Sequence, residues 1–231
     1  MTRRQDEPMS HSHSGSHHDH GHGHFDAAAS TWDDDPAKVE RARATATLLR
    51  AALELRGTER VLEVGGGTGQ LSLALAADVA SVLVTDASAG MAEVARANID
   101  RAGLAESLTA QQLDLVTDPA PEGRFDGAWA QLALHHVREV DLLLGRVRDV
   151  LVPGGWLAVV ELDDDRAGAF HADQGDFTGH DGFDRDAFAD RLRRLGFHDV
   201  TVSDAGSVEK ELGGDHQGRG TFATFLAVAR A

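Results

Sequence analysis

The residues with the clearest chemical meaning lie between Val61 and Gln70, where an apolar run leads into a turn that contains Gly65, Gly67 and Gly69. Glycines in such a turn allow the backbone to approach a ligand closely. The helix that follows presents free N–H groups at its start. This pattern predicts a binding site for a small ligand at the junction of a strand and a helix.

A second apolar run, Val82 to Val84, is followed by Thr85 and Asp86, and Asp86 comes 23 residues after Glu63. In nucleotide-binding α/β folds, a carboxylate at the tip of the second strand accepts hydrogen bonds from a ribose diol. Together with the glycine turn, Asp86 predicts a cofactor that contains a nucleoside.

The glycine spacing distinguishes between nucleoside cofactors. A dinucleotide-binding turn has the pattern G-x-G-x-x-G, which would require a glycine at Gln70. A phosphate-binding loop would continue into Gly-Lys-Ser/Thr, and that sequence is absent from the chain. The turn therefore disfavours an NAD-linked dehydrogenase and other enzymes that bind a diphosphate.

Strand and helix patterns alternate around these motifs. Such alternation is typical of a doubly wound α/β fold, in which helices cover both faces of a parallel sheet. The predicted strands are 60–64, 81–85, 108–113, 125–130, 156–162, 200–203 and 222–229, and the predicted helices are 36–55, 70–77, 89–102, 137–151 and 185–195.

Composition limits the class of protein further. The 231 residues are 42% apolar and 26% charged, as expected for one globular α/β domain. No apolar run approaches the length of a membrane span. The net charge of −16 argues against nucleic acid as a partner. The absence of cysteine excludes disulfides, thiolate metal sites and cysteine nucleophiles. No export signal follows Arg3 and Arg4, so we expect a cytoplasmic protein.

Residues 1–24 form a low-complexity segment, and half of the positions from His11 to His24 are histidine. We expect a disordered histidine-rich tail, followed by one ordered domain over residues 25–231. Imidazoles bind zinc, nickel and copper, so the tail could bind metal. Because its geometry is unspecified, a solvated tail without a defined site is the favoured interpretation. No metal ligands are assigned.

Six segments, in order, resemble the class I S-adenosylmethionine-dependent methyltransferases from about Phe25 to the C-terminus. They are VLEVGGGTG, VTDAS, QQLDL, FDGAWAQLALHHV, LVPGGWLAVVEL and RRLGF, followed by a closing FATFLAVAR strand. The family often has cysteine where this chain has Gly66. The resemblance implies a seven-stranded, mostly parallel sheet whose last strand, Phe222 to Ala229, is antiparallel. It also implies S-adenosylmethionine as the cofactor and a small molecule as the methyl acceptor.

The resemblance also implies which residues bind the cofactor. Glu63 and the backbone of two glycines would contact its methionine half, together with the backbone after the fourth strand; the ribose and the adenine would be held by residues after the second and third strands. The implied cofactor-binding residues are Glu63, Gly65, Gly67, Asp86, Ala87, Met91, Asp114, Leu115 and Gln131. For three of them a structural role stays open: Glu63 as a support of the loop, Asp114 as a helix cap and Met91 as core.

No catalytic residue is assigned. An acceptor that still carries its proton would benefit from a general base, and the candidates are His135, His136, His171 and His180. Each of these can equally be a buried structural histidine. The segment Asp163 to Asp181 is expected to contact the acceptor, and Trp32 is expected to lie in a lid over the cofactor.

One alternative comes from a different functional class. The chain would bind a cofactor or a metal without transferring a methyl group, and the histidine-rich tail would be its working part. No oligomeric state is predicted.

Overall fold

The computed structural model describes residues 23–172, 177–212 and 218–231. Its helices are α1 (Gly23–Ala28), α2 (Pro36–Ala52), α3 (Gln70–Leu75), α4 (Ala89–Ala102), α5 (Val140–Val150) and α6 (Arg185–Arg194). Two 3₁₀ turns span Ala29–Asp34 and Leu134–His136. The strands are β1 (Arg60–Val64), β2 (Ser81–Asp86), β3 (Leu108–Gln112), β4 (Phe125–Gln131), β5 (Leu151–Leu162), β6 (His198–Leu212) and β7 (Gly218–Arg230).

These seven strands form one sheet in the order β3-β2-β1-β4-β5-β7-β6. The pairings among β1 to β5 are parallel, whereas β7 is antiparallel to both of its neighbours, β5 and β6. The predicted doubly wound fold with an antiparallel last strand is confirmed. Its strand order reverses beside β1, and ligands bind at such switch points in open α/β sheets.

The sheet is held by an apolar core on each face. Val61, Leu62 and Val64 of β1 are all buried, as expected for a central strand that is covered on both sides. On one face Trp129 and Trp156 stack with ring centroids 5.8 Å apart. On the other face, aromatic rings from α6 and β7 pack together.

The helices begin and end at residues with clear capping roles. The Asp35 side chain accepts a hydrogen bond from the Ala37 N–H and precedes Pro36, a favourable arrangement at a helix start. Helix α4 begins after Ser88, whose hydroxyl accepts from the Met91 N–H, and it ends at Gly103 in the left-handed conformation.

The bounds of several helices and strands differ from the predicted ones where tertiary contacts determine where an element begins or ends. Helix α5 begins at Val140 rather than 137, because residues 134–136 form a separate 3₁₀ turn that is bonded to a buried glutamate of β5. Strands β6 and β7 extend beyond the predicted ranges because they pair with each other along almost their whole length. Residues 23–34, which include the last two positions of the predicted tail, are largely helical.

The predicted tail otherwise falls on residues 1–22, outside the described part of the chain. Among the described residues, no helix combines the length and the apolar character needed to cross a bilayer. The cytoplasmic location stays a prediction.

Candidate functional site

The glycine turn lies between β1 and α3, at the switch point of the sheet. Gly65, Gly67 and Gly69 have φ angles of +61°, +54° and +79°, a region that side chains other than glycine rarely adopt. A Cβ atom on Gly66 would lie 2.6 Å from Val84 Cγ1. The cysteine that is often found in the family would therefore require Val84 to move.

Asp86 is held against this turn, as the sequence predicted from the ends of two parallel strands. Its Oδ2 accepts a hydrogen bond from the Gly67 N–H at 2.8 Å, and its Oδ1 accepts from the Ser88 N–H at 2.9 Å. These two contacts orient the Asp86 carboxylate at the end of β2. Ala87 is half-buried beside it, and Met91 is buried in the first turn of α4.

Glu63 lies beneath the turn rather than at its surface. Its side chain is buried, and Oε2 accepts a hydrogen bond from the Ser72 hydroxyl in α3. Burial raises the pKa of Glu63 to about 8, although the hydrogen bond from Ser72 opposes the shift. At neutral pH this carboxyl group is mainly protonated and joins β1 to α3, a supporting role that the sequence left open.

Asp114 follows β3 at the same edge of the sheet, where the Leu113 N–H donates to the Asp86 carbonyl. The two Asp114 carboxylate oxygens accept from the Val116 N–H and the Thr117 hydroxyl, at 2.8 and 2.9 Å. Asp114 thus caps the turn that follows β3, and no helix follows it among the described residues before β4, so it is not the helix cap that the sequence left open. The adjacent Leu115 is buried.

Gln131 ends β4, and its side chain points towards α2. Its Nε2 donates to the Thr45 hydroxyl at 2.7 Å and to the Arg41 carbonyl at 3.2 Å. A cavity of about 280 Å³ opens beside these groups. Its walls come from α2, β6 and β7 and include Leu48 and Val208.

The segment before α2 is attached beside the glycine turn through two aspartates. Asp26 accepts hydrogen bonds from the Ser88 hydroxyl and the Gly90 N–H at the start of α4. The approach is close, since a Cβ atom on Gly90 would lie 3.1 Å from the Asp26 carbonyl oxygen. The predicted cover over the cofactor site is therefore attached directly beside Asp86.

Asp33 provides the second attachment. It accepts from the Thr68 hydroxyl, the Gln70 amide and the Asn98 amide at 2.7 to 2.8 Å. Trp32 lies beside it, with the Lys38 ammonium 3.6 Å from its ring centroid. Sequence reasoning identified Trp32 but missed Asp33, because no local pattern distinguishes it from its acidic neighbours.

The candidate histidines lie beyond β4 and β5 at this edge of the sheet. His135 Nδ1 is 2.7 Å from Glu161 Oε2, and both residues are buried. The rings of His136 and His171 lie beside the His135 ring. The His180 N–H donates to the His135 carbonyl, which ties the segment after β5 to the 3₁₀ turn after β4. Sequence reasoning missed Glu161, which looks like an ordinary residue at the end of a strand.

Residues 61–155 match the family model described as a methyltransferase domain. This part of the chain is similar to a methyltransferase domain. The resemblance to class I methyltransferases is confirmed, and the matched region includes the glycine turn, Asp86 and the end of β4.

Two curated relatives are similar to part of this chain. The chain is 35% identical over 132 residues to the 27-O-demethylrifamycin SV methyltransferase of Amycolatopsis mediterranei, covering 55% of this chain and 48% of that protein. It is 36% identical over 110 residues to the ubiquinone/menaquinone biosynthesis C-methyltransferase UbiE of Cellvibrio japonicus, covering 46% and 44%. The chain thus spans about half the length of the curated relatives it matches.

A solved structure is also similar. The 4+2 cyclase SpnF superposes with a TM-score of 0.61 at 28% identity, covering 71% of this chain and 61% of that one. This chain therefore shares its fold with a protein that is named for another reaction.

Proposed function

We propose that this protein transfers a methyl group from S-adenosylmethionine to a small-molecule acceptor. The observation that carries the proposal is the pairing of Asp86 with the glycine turn across the end of the sheet, within the region that matches a methyltransferase domain. This arrangement offers a carboxylate to a ribose diol and backbone N–H groups to the rest of the ligand.

The residues present fit such a cofactor. A Cβ atom on Gly67 would meet nothing within 4 Å, so the turn has an open face, while Gly65 is packed against Ala133 after β4. Gly65, Gly67 and the Gln131 backbone would border the methionine half, Asp86 would bind the ribose, and Ala87, Met91, Asp114 and Leu115 would surround the adenine. Glu63 would act from beneath by supporting the turn.

When bound, the cofactor itself supplies an activated methyl group. The contribution of the protein is then to position the acceptor in line with that group. Such positioning lowers a barrier by up to about 7–11 kcal/mol in favourable cases. The attachments of Asp26 and Asp33 would hold the covering segment in place, so that water is excluded from the site.

Two observations favour a small acceptor. The relatives named above are a rifamycin methyltransferase and a quinone-biosynthesis methyltransferase. The net charge of −16 also disfavours a polyanionic acceptor. The 280 Å³ cavity beside Gln131 is a candidate for part of the acceptor pocket.

The first test is isothermal titration calorimetry with S-adenosylhomocysteine and, separately, with NAD. We expect saturable binding of the first and none of the second, and the reverse result would contradict the proposal.

The second test is release of S-adenosylhomocysteine across a panel of small hydroxylated, phenolic and quinone compounds. If the protein binds S-adenosylhomocysteine but releases none with any compound of the panel, a role without methyl transfer would be favoured. The solved structure of a cyclase with a similar fold is a reason to test this.

A further inference from the structure

Three imidazole rings meet at the carboxyl edge of the sheet. His135 and His136 belong to the 3₁₀ turn after β4, and His171 belongs to the segment after β5. Each offers a ring nitrogen, and the three nitrogens lie within 4.8 Å of one another. Residues so far apart in the chain are brought together only by the pairing of β4 with β5 and by the segment after β5.

Two of these rings are oriented by carboxylates on their far side. His135 Nδ1 lies 2.7 Å from Glu161, and His171 Nδ1 lies 3.3 Å from Asp181. In metal sites the ligating histidine almost always donates its second ring N–H to a carboxylate, a carbonyl or a water. Such a hydrogen bond fixes the tautomer, so the lone pair of the other nitrogen, Nε2, is free to bind a metal.

The Nε2 atoms of His135 and His171 are both buried, and neither has a hydrogen-bond partner among the described residues. The two residues are only 1% and 4% exposed. Leaving a buried polar atom unpaired costs about 1–3 kcal/mol, so two such atoms in neighbouring rings require an explanation. A ligand shared by both nitrogens supplies one.

The surrounding charges suit a cation on balance. Glu161 and Asp181 contribute carboxylates, whereas Lys210 lies nearby with its ammonium 2.5 Å from the Phe170 carbonyl and opposes a cation. Histidine binds metals through a neutral imidazole nitrogen.

We infer that His135, His136 and His171 form a binding site for a divalent transition metal ion of the zinc class, with a fourth position left for an exogenous ligand. Three protein ligands and one open position are typical of catalytic zinc sites. Zinc–nitrogen bonds of about 2.0–2.1 Å in tetrahedral geometry place the ligand nitrogens about 3.4 Å apart, so the rings must approach by roughly 1 Å. The sequence had assigned no metal to this part of the chain.

The site lies beside the cofactor crevice. The segment between β4 and the histidines contacts the glycine turn, because a Cβ atom on Gly65 would lie 2.4 Å from Ala133 Cβ. If the proposed methyl transfer holds, the fourth position of the metal would bind an oxygen or nitrogen of the acceptor close to the transferred group. Metal binding itself does not depend on that function.

The test must separate this site from the histidine-rich tail. We would use the full chain with the six histidines of residues 1–22 changed to asparagine, at His11, His13, His17, His18, His20 and His22. After loading with zinc and dialysis, we expect about one zinc per chain by elemental analysis. His136→Ala and His171→Ala in this background should each weaken zinc binding at least 100-fold. His198→Ala, which removes an exposed histidine elsewhere, should leave it unchanged.

The inference is overturned if the tail-substituted chain retains no zinc, or if both cluster variants fold and still bind zinc like the parent. Cobalt(II) provides a readout that needs no cluster variant. The tail-substituted chain should give the strong visible absorption of a four-coordinate ion, and a weak octahedral spectrum would contradict the site. Calorimetry with S-adenosylhomocysteine on the same samples shows separately whether the cofactor proposal holds.

Discussion

The two halves of the site are built in different ways. On the cofactor side, Asp86 bonds to the Gly67 and Ser88 N–H groups, so its main contacts lie within 19 residues of it. On the histidine side, Glu161 bonds to His135 from 26 residues away. The first half joins the ends of β1 and β2 through one glycine turn, whereas the second joins β4, β5 and the segment that follows β5.

The halves also differ in how completely their polar groups are paired. Both oxygens of Asp86 accept backbone hydrogen bonds, whereas His135 and His171 each bury a ring nitrogen that has no partner among the described residues. The cofactor side is thus preorganised by the chain itself, and the histidine side has free binding capacity. The following predictions test this contrast.

The largest effect is expected from Glu161→Gln. The carboxylate accepts from the N–H groups of Leu134, His135 and Leu162 and pairs with the His135 ring, all of them buried. The glutamine amide group cannot accept the two hydrogen bonds made by Oε2, and hydrogen bonds to a charged group contribute about 1.5–3 kcal/mol each. The free energy of unfolding should therefore fall by about 3–6 kcal/mol, measured by urea denaturation. Glu106→Gln, at an exposed position, is the control. A loss below 1 kcal/mol would show that the histidine side is not held by Glu161.

The next effect is expected from Asp86→Ala on the cofactor side. Hydrogen bonds to a charged group contribute about 1.5–3 kcal/mol, so the Kd for S-adenosylhomocysteine should rise roughly 10- to 100-fold. Calorimetry measures this change, with the exposed Asp100→Ala as control. An unchanged Kd would remove Asp86 from the binding site.

A smaller effect is expected from Asp33→Ala, which removes three hydrogen bonds between the covering segment and the core. We expect the cofactor to dissociate about 3- to 10-fold faster, because these partly exposed bonds are weaker than buried ones. Limited proteolysis near residues 23–35 should also become faster. The adjacent Asp34→Ala provides a matched control. Equal rates of cofactor dissociation and of proteolysis in the two variants would contradict the proposal that Asp33 holds the segment over the cofactor.

The last effect concerns pH and is spread over several pH units. Folded Glu63 keeps its proton to about pH 8, whereas an unfolded glutamate loses it near pH 4.5, so the folded state binds more protons between these values. The stability of the natural chain should therefore fall as pH rises from 5 to 8, by at most about 1.4 kcal/mol per pH unit from this group. Glu63→Gln should lack this part of the slope. Parallel urea-unfolding profiles for the two proteins would refute the raised pKa.

Prediction from sequence succeeded where the information is local. The strand–turn–helix around Gly65 to Gln70 and the position of Asp86 follow from glycine spacing and apolar runs, and the structure brings them together. The roles of Glu63 and Asp114 were harder to predict. A sequence shows that a residue is acidic, but it does not show whether the side chain is buried and structural or exposed and able to bind a ligand. Glu63 is bonded to Ser72 of α3, and Asp114 is bonded within the turn after β3, while their contacts with a cofactor stay predictions.

The sequence by itself determined the alternation of strands and helices, the glycine turn and the carboxylate opposite it, because each depends on residues adjacent in the chain. Only the tertiary structure decided that His135, His136 and His171 meet, and that Glu161, Asp181 and Asp33 act where they do. Those contacts depend on how β4, β5 and the covering segment pack. Packing between residues that are distant in the chain produces no periodic pattern in the sequence.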